Sequence, residues 1–394
     1  MTTVTELTAA APAPLAPRGD HRGSPIPTGA MIVTRILELR KRRGLMIALA
    51  VVNIGIPSLF LIVRLLGHAF DPHSYGPAGG YDIFTQLVAG VMYIFGFIVA
   101  ATLGCTAGSV DLTEGMFRHL VVTGRSRLAL YLARIPAGLA IIVPMVAAGF
   151  AIVCIVCVSA APTAINFDGA TVPAHLSLSG FESWAADHPD VVICDLPSNG
   201  PPPANLQCGP NGPVTVSGGS GRVVKGPAGV TLPTLSAAAM RTEAVHIAEQ
   251  SYGGYRSQFL YPSNSLMVKA GLWLELEAII GFIVGLGLAS LIGQRTVAVI
   301  LMIVLELILT PIVSMHVIPH LVNLERGVVG LATLHLTPGG IPLPFGGGGG
   351  GSGGNTASHS SLVPESITVA VCVIVGWLVV WTVLGAWRMM TRDA

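Results

Sequence analysis

Residues 108–134 read GSVDLTEGMFRHLVVTGRSRLALYLAR. A long apolar run ends just before this stretch and another starts inside it. A charged hairpin joining two membrane spans has to lie at a water interface. This one carries Arg118, Arg125, Arg127 and Arg134, and loops enriched in arginine stay on the cytoplasmic side. Within it Leu112, Met116, Phe117 and Leu120 recur at helical spacing, and Asp111, Glu114 and Arg118 form the opposing stripe. The pattern predicts a short helix lying flat, its apolar face against lipid or span ends and its charged face in the cytosol. Gly124 breaks that helix, and Ser126 is placed to cap the next one.

The composition agrees with a membrane setting. Of 394 residues 52% are hydrophobic and only 10% charged, where soluble domains average about 25% charged. Mean hydropathy is +0.71. Apolar runs predict six spans, at about 45–63, 83–107, 129–158, 270–292, 296–317 and 367–387, each near the ~20 residues a helix needs to cross. In this topology 14 of the 21 Lys and Arg fall on the cytoplasmic side. Both termini are then cytoplasmic. Net charge is +1, which gives no reason to invoke nucleic acid. The expected class is an all-α integral membrane protein, multi-pass in the cell's inner (plasma) membrane, with the lipid bilayer as its first partner.

Four regions follow. Residues 1–30, rich in Ala, Pro, Thr and Gly, read as a disordered cytoplasmic tail; they have no apolar core of a signal peptide. Residues 31–160 hold an interfacial helix ending in Arg40, Lys41, Arg42 and Arg43, then spans one to three. Arg64 is read as the outer end of span one, and Pro136 and Pro144 as kinks in span three. Residues 161–265 form a polar, Pro- and Gly-rich outer loop, expected to be a small loop-rich cap, with helical character at Ser236–Gln250. Residues 266–394 hold spans four to six. The turn Gly293-Gln294-Arg295 makes spans four and five antiparallel neighbours. Leu321–Leu336 is too interrupted by Asn323, Glu325 and Arg326 to be a span, and a run of six glycines, Gly346–Gly351, follows it.

The central stretch resembles the coupling segment of ABC transporter permeases of the type-2 exporter class. The matching residues are Asp111, Gly115, Arg118, Gly124, Ser126, Arg127 and Arg134, and they fall between the second and third spans, where that family has the segment. The resemblance covers 31–160 and 266–394 in topology and 108–134 in residues. It implies that Asp111, Glu114, Arg118, His119, Arg125 and Arg127 dock on a separate ABC ATPase subunit, with the flat helix as a coupling helix. It also implies a second permease subunit, as homodimer or heterodimer, and export of a drug, lipid or other amphipathic substrate. Leu321–Leu336 resembles the re-entrant outer helices that the family carries before its last span. The long loop between spans three and four departs from the pattern, which puts its larger outer elements between spans five and six.

The chain has no GxxxxGK[ST] phosphate loop. It is expected to be a transport subunit, not an enzyme, with no cofactor of its own; ATP and Mg belong to the partner subunit. Three carboxylates interrupt apolar runs: Glu275 and Glu277 early in span four, toward the outer headgroups, with Lys269 as a partner close in sequence, and Glu306 near the middle of span five. Carboxylates at membrane depth face protein or water because lipid exposure is costly. Glu277 and Glu306 either line a transport path or tie helices together. Cys194 and Cys208 share the outer loop and are the candidate disulfide pair; Cys105, Cys154, Cys157 and Cys372 sit in apolar runs. His316 and His320 have a metal-like spacing but Pro319 between them and no clear third ligand, so no metal is expected. The other class the residues admit is an ATP-independent carrier or channel, although such proteins often show internal repeats and none is evident here.

Overall fold

The computed structural model describes residues 26–71, 78–113, 126–162, 164–167, 170–173, 176–195, 206–209, 212–215, 237–257, 261–314, 322–342 and 365–391. These are mostly helical, and six helices are long and apolar enough to cross a membrane. They are span one (Arg43–Phe70), span two (Tyr81–Val110), span three (Arg127–Ser159), span four (Asn264–Ile292), span five (Arg295–Val313) and span six (Ile367–Thr391). The chain is a multi-pass membrane protein. A helix satisfies its own backbone polar groups, which hydrocarbon cannot do.

Several ends differ from those expected from hydropathy. Span one runs on to Phe70, so Arg64 lies inside the helix and not at its end. Span four starts at Asn264 because Ser263 caps it, its hydroxyl accepting from the Leu266 N–H at 3.2 Å. In span three the break falls at Ala133, and Pro136 sits in the first turn of the helix that follows, where its missing N–H costs nothing. Span four ends on Gly293 at φ 76°, with its N–H on the Ala289 carbonyl at 2.8 Å. That is a left-handed glycine cap, and it returns the chain into span five.

Spans two and four form the centre. Their apolar stretches are 67% and 61% buried, against 11–33% for the other four spans, which present most of their side chains outward. The two run parallel and touch through glycine. A Cβ on Gly285 would lie 2.6 Å from the Ala101 carbonyl, one on Gly108 2.6 Å from that of Leu286, and one on Gly281 3.0 Å from that of Phe97. Gly104 faces the Phe282 carbonyl more closely still. Both helices carry GxxxG, at Gly104–Gly108 and Gly281–Gly285, the spacing that lets membrane helices approach backbone to backbone. Span six crosses the same helix at Gly287, beside the Trp381 carbonyl.

Three spans contain a stretch of wider, π-type winding: Val51–Gly55 in span one, Leu87–Met92 in span two and Val304–Leu309 in span five. Each inserts an offset that re-aims the side chains after it.

At the end of the bundle marked by Arg43, Arg127, Arg295 and Arg388, helix α1 (Gly29–Lys41) packs Met31 on Ala129, Leu130 and Ala133. Arg134 is buried there and donates to the Gly108 carbonyl at 3.1 Å. Arg127 donates to the Met390 carbonyl at 3.1 Å, binding span three to the end of span six.

At the opposite end, between spans three and four, stand hairpins β1–β2 (Ala164–Phe167, Ala170–Pro173) and β3–β4 (Leu206–Gly209, Gly212–Thr215) and helices α2 (Leu178–Asp187), α3 (Pro189–Asp195) and α4 (Ala237–Ser257). The expected loop-rich cap has a small apolar core of its own: Phe181, Ala185, Val192, Ala244, Ile247, Ala248 and Tyr255 are buried together. The rings of Phe181 and Tyr255 stack at 4.4 Å, and the Tyr255 hydroxyl donates to the Pro173 carbonyl at 2.7 Å. Between spans five and six, α5 (Val322–Gly327) and α6 (Val329–Leu334) turn inward, and every residue of α6 is buried. Trp377 of span six holds this pair by donating to the Gly327 carbonyl at 2.8 Å.

The glycine contact has a direct test. Gly104→Val puts side-chain atoms where the Phe282 backbone stands, which no rotamer relieves, and should cost about 1–3 kcal/mol or more. Gly96→Val, in the same helix with nothing within 4 Å, should be tolerated. Detergent size-exclusion profiles and thermal midpoints of the two variants separate the cases.

Candidate functional site

Span two delivers Tyr93, the first residue after its π-wound stretch. Span five delivers Glu306 from within its own, and Thr310 just beyond. Span four delivers Trp273 and Glu277, one turn apart on one face. Helix α6 delivers Gly330 and Thr333. These side chains meet in the interior: Tyr93, Glu306, Thr310 and Thr333 are fully buried, with Trp273 at 3% and Glu277 at 1% exposure.

The contacts form a chain. The rings of Tyr93 and Trp273 stack at 4.7 Å, 14° from parallel. The Trp273 indole N–H donates to the Thr333 carbonyl at 3.0 Å. The Tyr93 hydroxyl donates to Glu306 Oε1 at 3.2 Å and lies 3.4 Å from Thr333 Oγ1. The Thr333 hydroxyl donates to the Gly330 carbonyl at 2.8 Å, and Thr310 Oγ1 to the Leu305 carbonyl at 3.1 Å. Gly330 leaves room here: a Cβ would come to 2.8 Å from both Glu306 Oε2 and Thr310 Oγ1, and those side chains would have to shift.

The accounting leaves three oxygens over. Glu277 Oε1, Glu277 Oε2 and Glu306 Oε2 are buried without a hydrogen-bond partner among the described residues. The Glu277 carboxyl lies beside Tyr93, Thr333 and Glu306, but its oxygens do not meet hydrogen-bond geometry with either hydroxyl. No basic side chain of the described residues pairs with Glu277 or Glu306. An unpaired buried carboxylate carries a large desolvation cost, so the cluster is poised to take positive charge.

The two sequence-flagged carboxylates are thus brought together, and Glu275 is not among them. Two residues along a helix is about 200° of rotation, and Glu275 faces Ala147 of span three. With span four beginning at Asn264, Glu277, expected toward the outer headgroups, lies near mid-helix. Lys269 is no partner to it either. Lys269 is exposed and lines a separate cavity of about 390 Å³ with Tyr81, Ser263, Ser265, Leu266 and Gly340. Tyr93, Trp273, Thr310 and Thr333 were not singled out by their sequence. Trp, Tyr and Thr in apolar runs look like ordinary filling, and only the π-wound stretches aim two of the key side chains inward.

The segment flagged for partner docking is only partly described. Glu114, Arg118, His119 and Arg125 lie outside the described residues, as do His316 and His320, and Asp111 is described by its backbone alone, within the helix of span two. Arg127 is tied to the Met390 carbonyl. Ser126 does precede the helix it was expected to cap, but its side chain makes no capping bond. Cys194 lies on α3 and Cys208 on β3, elements that pack together; their side chains lie outside the described set. Cys105, Cys154, Cys157 and Cys372 are free. Among the described residues no three of His, Cys, Asp and Glu gather as a metal site. No protein-family model, no curated protein and no solved structure matches the chain.

Tyr93→Phe keeps the stacking on Trp273 and removes only the hydroxyl, leaving both Glu306 oxygens unpartnered. Thermal unfolding in detergent should register a loss of about 1–3 kcal/mol. Trp377→Phe, which removes one bond at a more exposed site, should lose less.

Proposed function

We propose that this chain is the membrane-spanning permease subunit of an ATP-driven ABC transporter, exporting a drug, lipid or other amphipathic substrate. A separate subunit hydrolyses ATP with Mg, and a second permease, identical or related, completes the pathway. The observation that carries the reading is the helix pair α5–α6, which turns back into the bundle between spans five and six. The type-2 exporter class carries re-entrant helices before its last span, and this pair supports that resemblance. The amphipathic helix α1 before span one and the basic segment between spans two and three support it. So does the outward-facing character of spans one and five, which leaves surface for a second permease as well as for lipid.

In this reading both termini and residues 108–134 face the cytoplasm of a bacterial inner membrane. Asp111, Glu114, Arg118, His119 and Arg125 meet a groove of the ATPase, and Arg127 and Arg134 fix the ends of spans three and six beneath it. A push on the segment then passes through the Arg134–Gly108 and Arg127–Met390 bonds into spans two, three and six. The enclosed carboxyl cluster favours one second reading, an ATP-independent carrier, because polar groups at mid-membrane are the usual substrate or ion sites of that class.

Purification of the tagged protein from its own host in mild detergent decides between them. The permease reading expects a roughly stoichiometric protein with a GxxxxGK[ST] motif, and ATPase activity in the preparation. Arg118→Glu should lower both recovery of that protein and transport at least tenfold. A preparation without ATPase even after crosslinking, or an Arg118→Glu variant with unchanged recruitment and transport, would overturn it in favour of the carrier.

A further inference from the structure

We infer that Glu277 and Glu306, with the Thr333 and Tyr93 hydroxyls, form a binding site for a small hard cation inside the membrane-spanning bundle. The site rests on interior geometry and does not depend on which energy source drives the protein.

The first argument is charge. Two carboxyl groups at this depth require positive charge, supplied by protons or by a cation, since lone ionised groups in hydrocarbon are disfavoured by several kcal/mol. No basic side chain of the described residues supplies it. Three of the four carboxyl oxygens have no hydrogen-bond partner there. A pair of acids that served only to brace helices would satisfy itself by hydrogen bonding. Here the Tyr93 hydroxyl serves Glu306 Oε1, and among the described residues Glu306 Oε2 and both oxygens of Glu277 are left without a hydrogen-bond partner.

The second argument is donor geometry. The Tyr93 hydroxyl reaches Glu306 and the Thr333 hydroxyl reaches the Gly330 carbonyl, and the two hydroxyl oxygens lie 3.4 Å apart, where either can donate to the other. That separation also fits two oxygens on one edge of a cation's shell: ligands about 2.3–2.6 Å from a calcium-sized ion and at right angles stand about 3.3–3.7 Å apart. The donor set is oxygen only, which selects hard cations over the transition metals that want imidazole or thiolate.

The third argument is local backbone. Two of the contributing spans are π-wound at the site itself, Leu87–Met92 just before Tyr93 and Val304–Leu309 around Glu306. Isolated π-turns in helices recur at functional sites. Because spans two, four and five and α6 each contribute a ligand, cation occupancy links the helix pair α5–α6 to the bundle centre.

The test uses purified wild-type protein in detergent, stripped with a chelator and held in N-methylglucamine chloride. Thermal midpoints are followed by tryptophan fluorescence while sodium chloride, calcium chloride or magnesium chloride is added at constant ionic strength. A site predicts a saturable rise of about 5 °C or more at a hundredfold excess over Kd. Sodium alone producing it assigns a monovalent site, and calcium alone a divalent one. Glu277→Gln and Glu306→Gln should each abolish the rise, while Glu275→Gln, two residues off on another face, should keep it. If either glutamine variant fails to fold, Thr333→Val serves, with an expected tenfold or greater weakening of apparent affinity. Terbium emission sensitised by Trp273 gives a readout independent of stability, and it should be displaced by the active ion. A wild-type midpoint unmoved by every ion would overturn the site. So would a rise that persists in both glutamine variants, or glutamine variants more stable than wild type in all salts; the last marks a neutral brace.

Discussion

The backbone contact between spans two and four sets the rest of the bundle. Hydrocarbon supplies no hydrophobic drive between apolar helices, so close van der Waals packing has to hold them. Gly104, Gly108, Gly281 and Gly285 permit it. The contact also fixes register. Phe97 meets Gly281 and Ala101 meets Gly285, so one turn further back Tyr93 comes level with Glu277. The polar cluster at mid-bundle is therefore a consequence of where glycines allow two helices to touch.

Around that axis the other elements attach by a few specific bonds and not by broad burial. Span six is mostly outward-facing yet is held at three levels: Trp377 to Gly327, Trp381 beside Gly287, and Met390 to Arg127. Span three is fixed at its basic end by Arg134 on the Gly108 carbonyl. Where helix α6 enters, Gly330 leaves room for the Glu306 carboxyl and Thr310 hydroxyl. A helix pair seated on ionisable groups has a packing that depends on what neutralises them. This joins the peripheral helices to the chemistry at the centre.

The unit between spans three and four is built differently. It lacks any long apolar run, and Pro- and Gly-rich sequence surrounds it. Yet Phe181, Trp184, Tyr252 and Tyr255 stack into a compact aromatic core. Aromatic side chains bury much area per residue, so four of them suffice where hydropathy averaged over a window predicts only loops.

The six spans, the arginine-marked end of the bundle and the turn at Gly293 were legible in the linear pattern. Each depends on composition or on one residue's local conformation, and a linear pattern records both. It also determined that Glu306 lies at mid-span, because a single carboxylate in an apolar run has no other reading. The GxxxG pairs were not singled out in the linear pattern, where they give at most permission for close approach; which helices meet is a property of the assembled bundle. That Glu277 joins Glu306, that Lys269 does not, and that Tyr93, Trp273, Thr310 and Thr333 complete the cluster emerges only in the folded bundle. The cause is register. Hydropathy is averaged along one helix, whereas a site shared by four elements depends on relative rotation and rise. The π-wound stretches at Leu87–Met92 and Val304–Leu309 alter both without any mark in the apolar pattern.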